Sequence, residues 1–106
     1  MYDLKWSESE KKLARSVFEA ALTAELAEIM AELKARAAAA AEPDDMWSIQ
    51  EHLRHKRREI DEKYDYRYSR LPLVFGQLLR EGRIQEAQLA GLAAEKLSYI
   101  RRIASL

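Results

Sequence analysis

The chain has 106 residues, of which 18 are basic and 18 acidic, and it contains no cysteine. This length allows one domain with a modest core, and the absence of cysteine excludes disulfide frameworks, thiolate nucleophiles and sulfur-ligated metals. No apolar run approaches the roughly 20 residues of a membrane span, and the charged residues 1–10 do not resemble a signal peptide. We therefore expect a cytoplasmic protein that does not bind membranes.

The first predicted element is a long amphipathic helix. Only three glycines and two prolines interrupt a sequence rich in strong helix formers, which indicates an all-α fold. Ser7 and Glu10 have the spacing of a capping box, so the helix should begin near Glu8. Its apolar positions step by four, three and four residues along one stripe, comprising Leu22, Leu26, Ile29 and Leu33. The alanine run at residues 37–41 continues the helical pattern until Pro43, which is predicted to end it.

A second long helix is predicted after Pro43. Asp44 or Asp45 is expected to cap it, and apolar positions at three- and four-residue spacing carry it to about Ser69. Helices of this length, at about 1.5 Å per residue, extend further than the rest of the chain can cover. We therefore predict that residues 1–70 form a stalk of two antiparallel helices, which pairs with a second copy in a homodimer resembling a four-helix bundle.

The remaining residues, 71–106, are predicted to form a small head of two helices within the same single domain. Residues 71–80 form the first of these, with Gly82 as its C-terminal cap. Leu89, Leu92, Ile100 and Ile103 indicate one amphipathic helix from about Gln85 to Ser105.

Three functional classes are weakly supported by the residues. The basic run at residues 54–58 has the character of a phosphate-binding patch, but acidic side chains flank it at helical pairing distances and the net charge is zero. His52, His55 and Glu59 have tolerable spacing for a metal, although neighbouring lysine and arginine would repel a cation. No nucleophile with a base and no glycine loop is present. We expect no nucleic acid, metal, cofactor or enzymatic activity.

An aromatic and cationic cluster at residues 64–70 has two interpretations. Tyr64, Tyr66 and Tyr68 alternate with charged residues near Arg70. Large rings with polar tips suit a protein interface. The same residues are equally suited to a hinge core where the predicted stalk meets the head.

The ordered motifs of the chain resemble the fluorescence recovery protein family of cyanobacteria. They are Trp6-Ser7, Trp47, the run from Lys56 to Asp65 that contains Glu59-Ile60-Asp61, and the two segments Phe75-Gly76-Gln77-Leu78-Leu79-Arg80-Glu81-Gly82 and Leu92-Ala93-Ala94-Glu95-Lys96. The resemblance implies an all-α homodimer that binds the orange carotenoid protein. It further implies that binding speeds the return of the red, photoactivated form to the orange dark form and helps to detach it from the antenna, without covalent chemistry.

The family's functional residues carry over in part. Trp47 and Arg57 match the family pattern of the second helix, whereas Gln50 stands where the family has histidine and Glu51 where it has aspartate. In the head, Leu73 and Tyr99 replace a phenylalanine and a lysine associated with carotenoid-protein binding. We predict a partner-binding surface comprising Leu73, Phe75 and Tyr99. The predicted dimer interface comprises Trp47, Gln50, Glu51, Leu53, Arg57, Ile60 and Tyr64.

Two hypotheses about function follow from these substitutions. The first is a homodimeric adaptor with the family's fold and a different protein partner, because a few anchor residues usually dominate an interface. The second is a fluorescence recovery protein that tolerates the substitutions and binds the orange carotenoid protein.

Overall fold

The computed structural model describes residues 5–106, and within them every regular element is helical. The elements are α1 (Glu8–Ala39), α2 (Pro43–Lys63), α3 (Leu71–Arg80), a 3-10 turn (Glu86–Leu89) and α4 (Ala94–Ala104). The all-α prediction is confirmed. The chain divides into two compact units, which we call the core unit (residues 5–21 and 64–106) and the hairpin unit (residues 22–63).

The start of α1 is the predicted capping box. The Glu10 amide donates to Ser7 Oγ over 3.2 Å, and the Ser7 amide donates to Glu10 Oε1 over 3.0 Å. Each side chain satisfies an amide that has no partner inside the helix. The helix then continues through the alanine run as far as Ala39, because alanine has the highest intrinsic helix propensity.

Pro43 begins the second helix, whereas the sequence predicted only that it would end the first. As the first residue of α2, Pro43 occupies a position where its missing N–H costs nothing. Asp45 lies inside α2 and reaches back to accept hydrogen bonds from the amides of Ala41 and Glu42, at 2.8 and 2.9 Å. The bond from Glu42 and then that from Ala41 hold the pKa of Asp45 below its ordinary value.

The hairpin unit is an antiparallel pair made by the second part of α1 and all of α2. Lys63 Nζ donates to Glu25 Oε2 over 2.8 Å, and both side chains are about nine-tenths buried. Nearer the turn, His52 Nε2 lies 3.0 Å from Glu32 Oε1. This contact is close but is not aligned as a hydrogen bond. The two contacts pair residues in opposite order along the two helices, as an antiparallel hairpin requires.

The second helix ends at Lys63, six residues earlier than predicted. Residues 64–67 have no regular structure and lead into a turn at 68–70. Tyr64 and Tyr66 both meet the Phe18 ring edge to face, with centroids 5.4 and 4.8 Å away. Tyr68 packs on Trp6 at 5.7 Å. These ring contacts hold residues 64–68 against α1 and the segment preceding it.

Within residues 5–106, the fully buried apolar side chains lie in the core unit. Gly82, at φ +73°, caps α3 as predicted, and the Arg83 amide donates to the Leu78 carbonyl over 2.9 Å, which is the Schellman pattern. Gly76 lets α3 and α4 approach closely, because a Cβ there would lie 2.7 Å from Ile103 Cβ. The apolar side chains with 2 % exposure or less include Ala14, Leu71, Pro72, Phe75, Leu78, Ile84, Leu89 and Ile100.

The single C-terminal helix predicted from Gln85 to Ser105 is wrong. The chain forms a 3-10 turn, a loop at residues 90–93, and then α4. Gln88 Oε1 accepts the Gln85 amide over 2.7 Å and caps the turn. Leu89 and Leu92 are both buried in this short segment. A continuous helix would not use the Ala93 amide as a donor to a carboxylate, and here that amide binds Glu10 Oε2 over 2.8 Å.

Candidate interaction surfaces

The hairpin unit exposes large apolar side chains and contains no buried apolar residue of its own. The exposed fractions are 46 % for Leu26, 54 % for Met30, 55 % for Met46 and 63 % for Trp47. The two helices of the hairpin face each other along an inner seam. Leu26 and Met30 lie beside this seam on α1, and Met46 is rotated from the seam by a similar angle on α2. Because the helices are antiparallel, equal rotation from the seam places these residues on the same side of the hairpin. An apolar face of this kind is typical of an interaction site.

Part of the predicted dimer interface lies on that apolar face. Met46, Gln50, Leu53 and Arg57 step by four, three and four residues, so they share one side of α2. Gln50 and Arg57 are exposed, and Leu53 is half-buried between the face and the seam. The structure therefore brings three of the predicted residues together.

The other predicted interface residues are dispersed. Trp47 and Glu51 are exposed on further sides of α2, and Ile60 is half-buried in the seam of the hairpin. Tyr64 lies in the core unit, where its ring is packed against Phe18.

The basic run of α2 is largely matched by neighbouring carboxylates. His55 Nε2 lies 3.4 Å from Glu51, Lys56 lies 3.7 Å from Glu59, and Arg57 lies 3.8 Å from Asp61. These exposed pairs contribute little to stability, but they leave little positive charge for a phosphate backbone. Across residues 5–106 no three side chains of the metal-binding types converge.

The predicted partner-binding residues fall in different environments of the core unit. Leu73 is 37 % exposed on α3, and Tyr99 is half-buried on α4. Phe75 has no exposed surface, so it supports the surface from within and does not contact a partner in this conformation. Because its neighbours at residues 71–78 are mostly apolar, the sequence does not distinguish a buried Phe75 from an exposed one that anchors a partner.

A buried ion pair that the sequence analysis did not identify joins the two ends of the core unit. Lys96 Nζ lies 3.1 Å from both oxygens of Glu10 and 2.5 Å from the Lys5 carbonyl oxygen. It also lies 5.0 Å from the centre of the Trp6 ring, which is a cation–π distance. The side chains of Lys96 and Glu10 are only 3 % and 9 % exposed.

The environment of Glu10 changes its acidity. Burial raises the pKa of a carboxyl group, but the hydrogen bonds from the Ser7 and Ala93 amides and from Lys96 outweigh burial and lower the pKa of Glu10 to about 2. Glu10 therefore caps α1, accepts the amide at the start of α4 and neutralises Lys96 at the same time.

No helix within residues 5–106 has the length and apolar character needed to cross a membrane.

Comparison with known proteins identifies close similarity over nearly the whole chain. Residues 6–104 match the family described as photoprotection regulator fluorescence recovery protein. The fluorescence recovery protein of Synechocystis sp. is 42 % identical over 101 residues, which are 95 % of this chain and 93 % of that protein.

Solved structures agree with this similarity. The structure of the fluorescence recovery protein from Synechocystis sp. PCC 6803 has a TM-score of 0.91 at 41 % identity, and the one from Fremyella diplosiphon has the same score at 33 % identity. Each comparison covers 96 % of this chain and 100 % of the other. The resemblance seen in the sequence is thus confirmed: this chain belongs to the fluorescence recovery protein family, whose members are regulators of photoprotection.

Proposed function

We propose that this chain is a homodimeric fluorescence recovery protein that binds the orange carotenoid protein in the cytoplasm and accelerates its red-to-orange relaxation. The proposal rests chiefly on the 42 % identity to a fluorescence recovery protein over 95 % of the chain. The chain acts in this proposal by binding, without covalent chemistry. The first hypothesis, an adaptor with a different partner, is less well supported, because similarity at this level extends through both units of the fold.

Dimerisation through the hairpin unit is supported by its exposed apolar face. Every apolar residue within 22–63 remains at least partly exposed, so one copy alone leaves apolar surface in contact with water there. Burial of apolar surface is the main driving force for association. A second hairpin laid against Leu26, Met30 and Met46 would supply the missing burial.

The dimer is tested by placing charge on this face. Met30→Glu should convert a dimer, at twice the chain mass of 12.3 kDa, into a monomer, because a carboxylate in an apolar contact is strongly disfavoured. Light scattering coupled to size exclusion measures the mass. Ala35→Glu is the control, since position 35 lies about 140° further around α1. If both variants keep the wild-type mass, this face is not the interface.

Activity is tested by mixing the purified chain with photoactivated orange carotenoid protein. Decay of the red form in the dark, followed by absorbance, should become faster in proportion to the amount of chain added. Leu73→Glu should reduce this acceleration, because Leu73 is exposed on the predicted partner-binding surface. Relaxation at the same rate with and without saturating chain would reject the proposed function and restore the adaptor hypothesis.

A further inference from the structure

A groove runs along the core unit between α3 and the C-terminal end of α4. Its volume is about 420 Å³. Its aliphatic lining includes Leu73, which is 37 % exposed, and Leu106, which is 82 % exposed. Leu73 shares one face of α3 with the polar lining residues, because they follow one another at three- and four-residue steps. The lining residues are Arg70, Leu73, Gln77, Arg80, Glu81, Ile103 and Leu106.

Among residues 5–106, Glu81 is the one carboxylate that lines the groove, and it is already engaged. Glu81 accepts a hydrogen bond from Gln77 over 3.0 Å and another from Arg83 over 3.2 Å. Arg83 does not line the groove. Glu81 is therefore neutralised from outside and contributes little negative charge to the groove.

The two arginines of the groove are far less compensated. Arg70 lies 3.8 Å from Asp65, but the two oxygens of that carboxylate are held by Arg67 at 2.9 and 2.5 Å. Arg80 forms no ion pair with any carboxylate in residues 5–106. Arg70 and Arg80 stand at opposite ends of α3, about 15 Å apart along a helix of this length. The groove thus combines exposed aliphatic side chains with two guanidinium groups that carboxylates of the described residues compensate only slightly.

From this arrangement we propose that the groove binds an acidic amphipathic segment of the partner protein, with aliphatic side chains against Leu73 and Leu106 and carboxylates on Arg70 and Arg80. Guanidinium groups pair with carboxylates in two parallel hydrogen bonds, which gives direction as well as attraction. The inference rests on the proposed function in taking the orange carotenoid protein as the partner. It goes further in assigning the chemistry of the contact and the residues that make it.

The test is charge reversal at both ends of the groove. The double variant Arg70→Glu with Arg80→Glu should bind the orange carotenoid protein at least about tenfold more weakly, chiefly through like-charge repulsion. Arg102→Glu is the matched control, because Arg102 is an exposed arginine of the same unit that does not line the groove, and it should bind within about twofold of wild type. Unchanged helicity by circular dichroism establishes that the variants are folded. Equal affinity of the double variant and the wild type would overturn the inference and leave the proposed function standing.

A second measurement separates the inference from the choice of partner. The probe is a synthetic helical peptide of leucine and glutamate, with a matched peptide in which lysine replaces glutamate. In the isotope-labelled chain, the glutamate peptide should shift the amide signals of α3 and the end of α4, and the lysine peptide should not. These shifts without binding of the carotenoid protein would reject the proposed function and retain the groove. Identical responses to both peptides would overturn the inference.

Discussion

Glu10→Gln offers the sharpest test of how the core unit is held together. Glutamine keeps the shape of the side chain but removes the counter-ion of Lys96, which is 3 % exposed. Removing one partner of a buried ion pair is strongly destabilising because the other charge stays buried without a counter-ion. The pKa of Glu10 falls from 4.5 to about 2 on folding. At about 1.36 kcal/mol for each pH unit, this difference amounts to about 3 kcal/mol of folding free energy at neutral pH.

The lowered pKa of Glu10 determines how the stability difference between the two proteins should change with pH. The pKa is lower in the folded state, so the stabilisation is complete above pH 4.5 and is lost as the pH falls towards 2. The free energy of unfolding of Glu10→Gln should therefore lie about 3 kcal/mol below wild type at pH 7, and the two proteins should converge in acid. Urea titrations followed by circular dichroism measure this, at one fixed protein concentration because association would otherwise change the apparent stability.

A double variant supplies the control for this prediction. Adding Lys96→Met to Glu10→Gln removes the uncompensated charge, so the pair of changes should cost less than Glu10→Gln alone. A wild-type advantage that stayed constant from neutral pH to pH 2.5 would refute the reasoning, since it would mean that the carboxylate charge of Glu10 contributes nothing to the network.

Two further changes test individual contacts. Gly82→Ala should lower the free energy of unfolding by about 1–2 kcal/mol, because φ +73° is unfavourable for a residue with a Cβ. Asparagine at the same position should cost less, and equal stability of all three proteins would contradict the C-cap role. Glu25→Gln should destabilise the hairpin unit by about 2 kcal/mol by weakening the buried bond to Lys63. The control is Glu19→Gln, in an exposed pair with Arg15, which should have no measurable effect. Thermal unfolding of the two variants compares their stabilities directly. Equal loss of stability in both would mean that burial of the Glu25–Lys63 pair does not strengthen it.

Helix ends governed by neighbouring residues could be read from the sequence. Ser7 and Glu10 are three residues apart, and Gly82 follows directly after the last turn of α3. The groups that form such caps are close together in the sequence, and they meet whenever the helix forms. Their spacing is therefore enough to predict them.

Features that depend on distant residues could not be read in the same way. Lys96 is 86 residues from Glu10, and no local pattern indicates that the two side chains meet. The interruption at residues 90–93 has the same cause, because the Ala93 amide is held by that same distant carboxylate. The burial of Phe75 could not be predicted either. Residues 71–79 are apolar on nearly every side of the helix, so their pattern does not show which side faces the core.

The end of α2 did have a signal in the sequence. Tyr64, Tyr66 and Tyr68 recur at every second position, with Asp65 and Arg67 between them. A repeat of two is typical of extended backbone and not of a helix. Of the two interpretations of this cluster, packing within the chain accounts for the observed ring contacts of all three tyrosines.

The alternation at residues 64–68 also fixes the length of this connection. The backbone turns between the tyrosines, where the Arg67 amide donates to the Asp65 carbonyl oxygen over 3.0 Å. With this turn in place, Tyr64 and Tyr66 both reach the Phe18 ring. Removing or inserting one residue would displace one of these rings from Phe18, so the length of the segment matters even though it has no regular secondary structure.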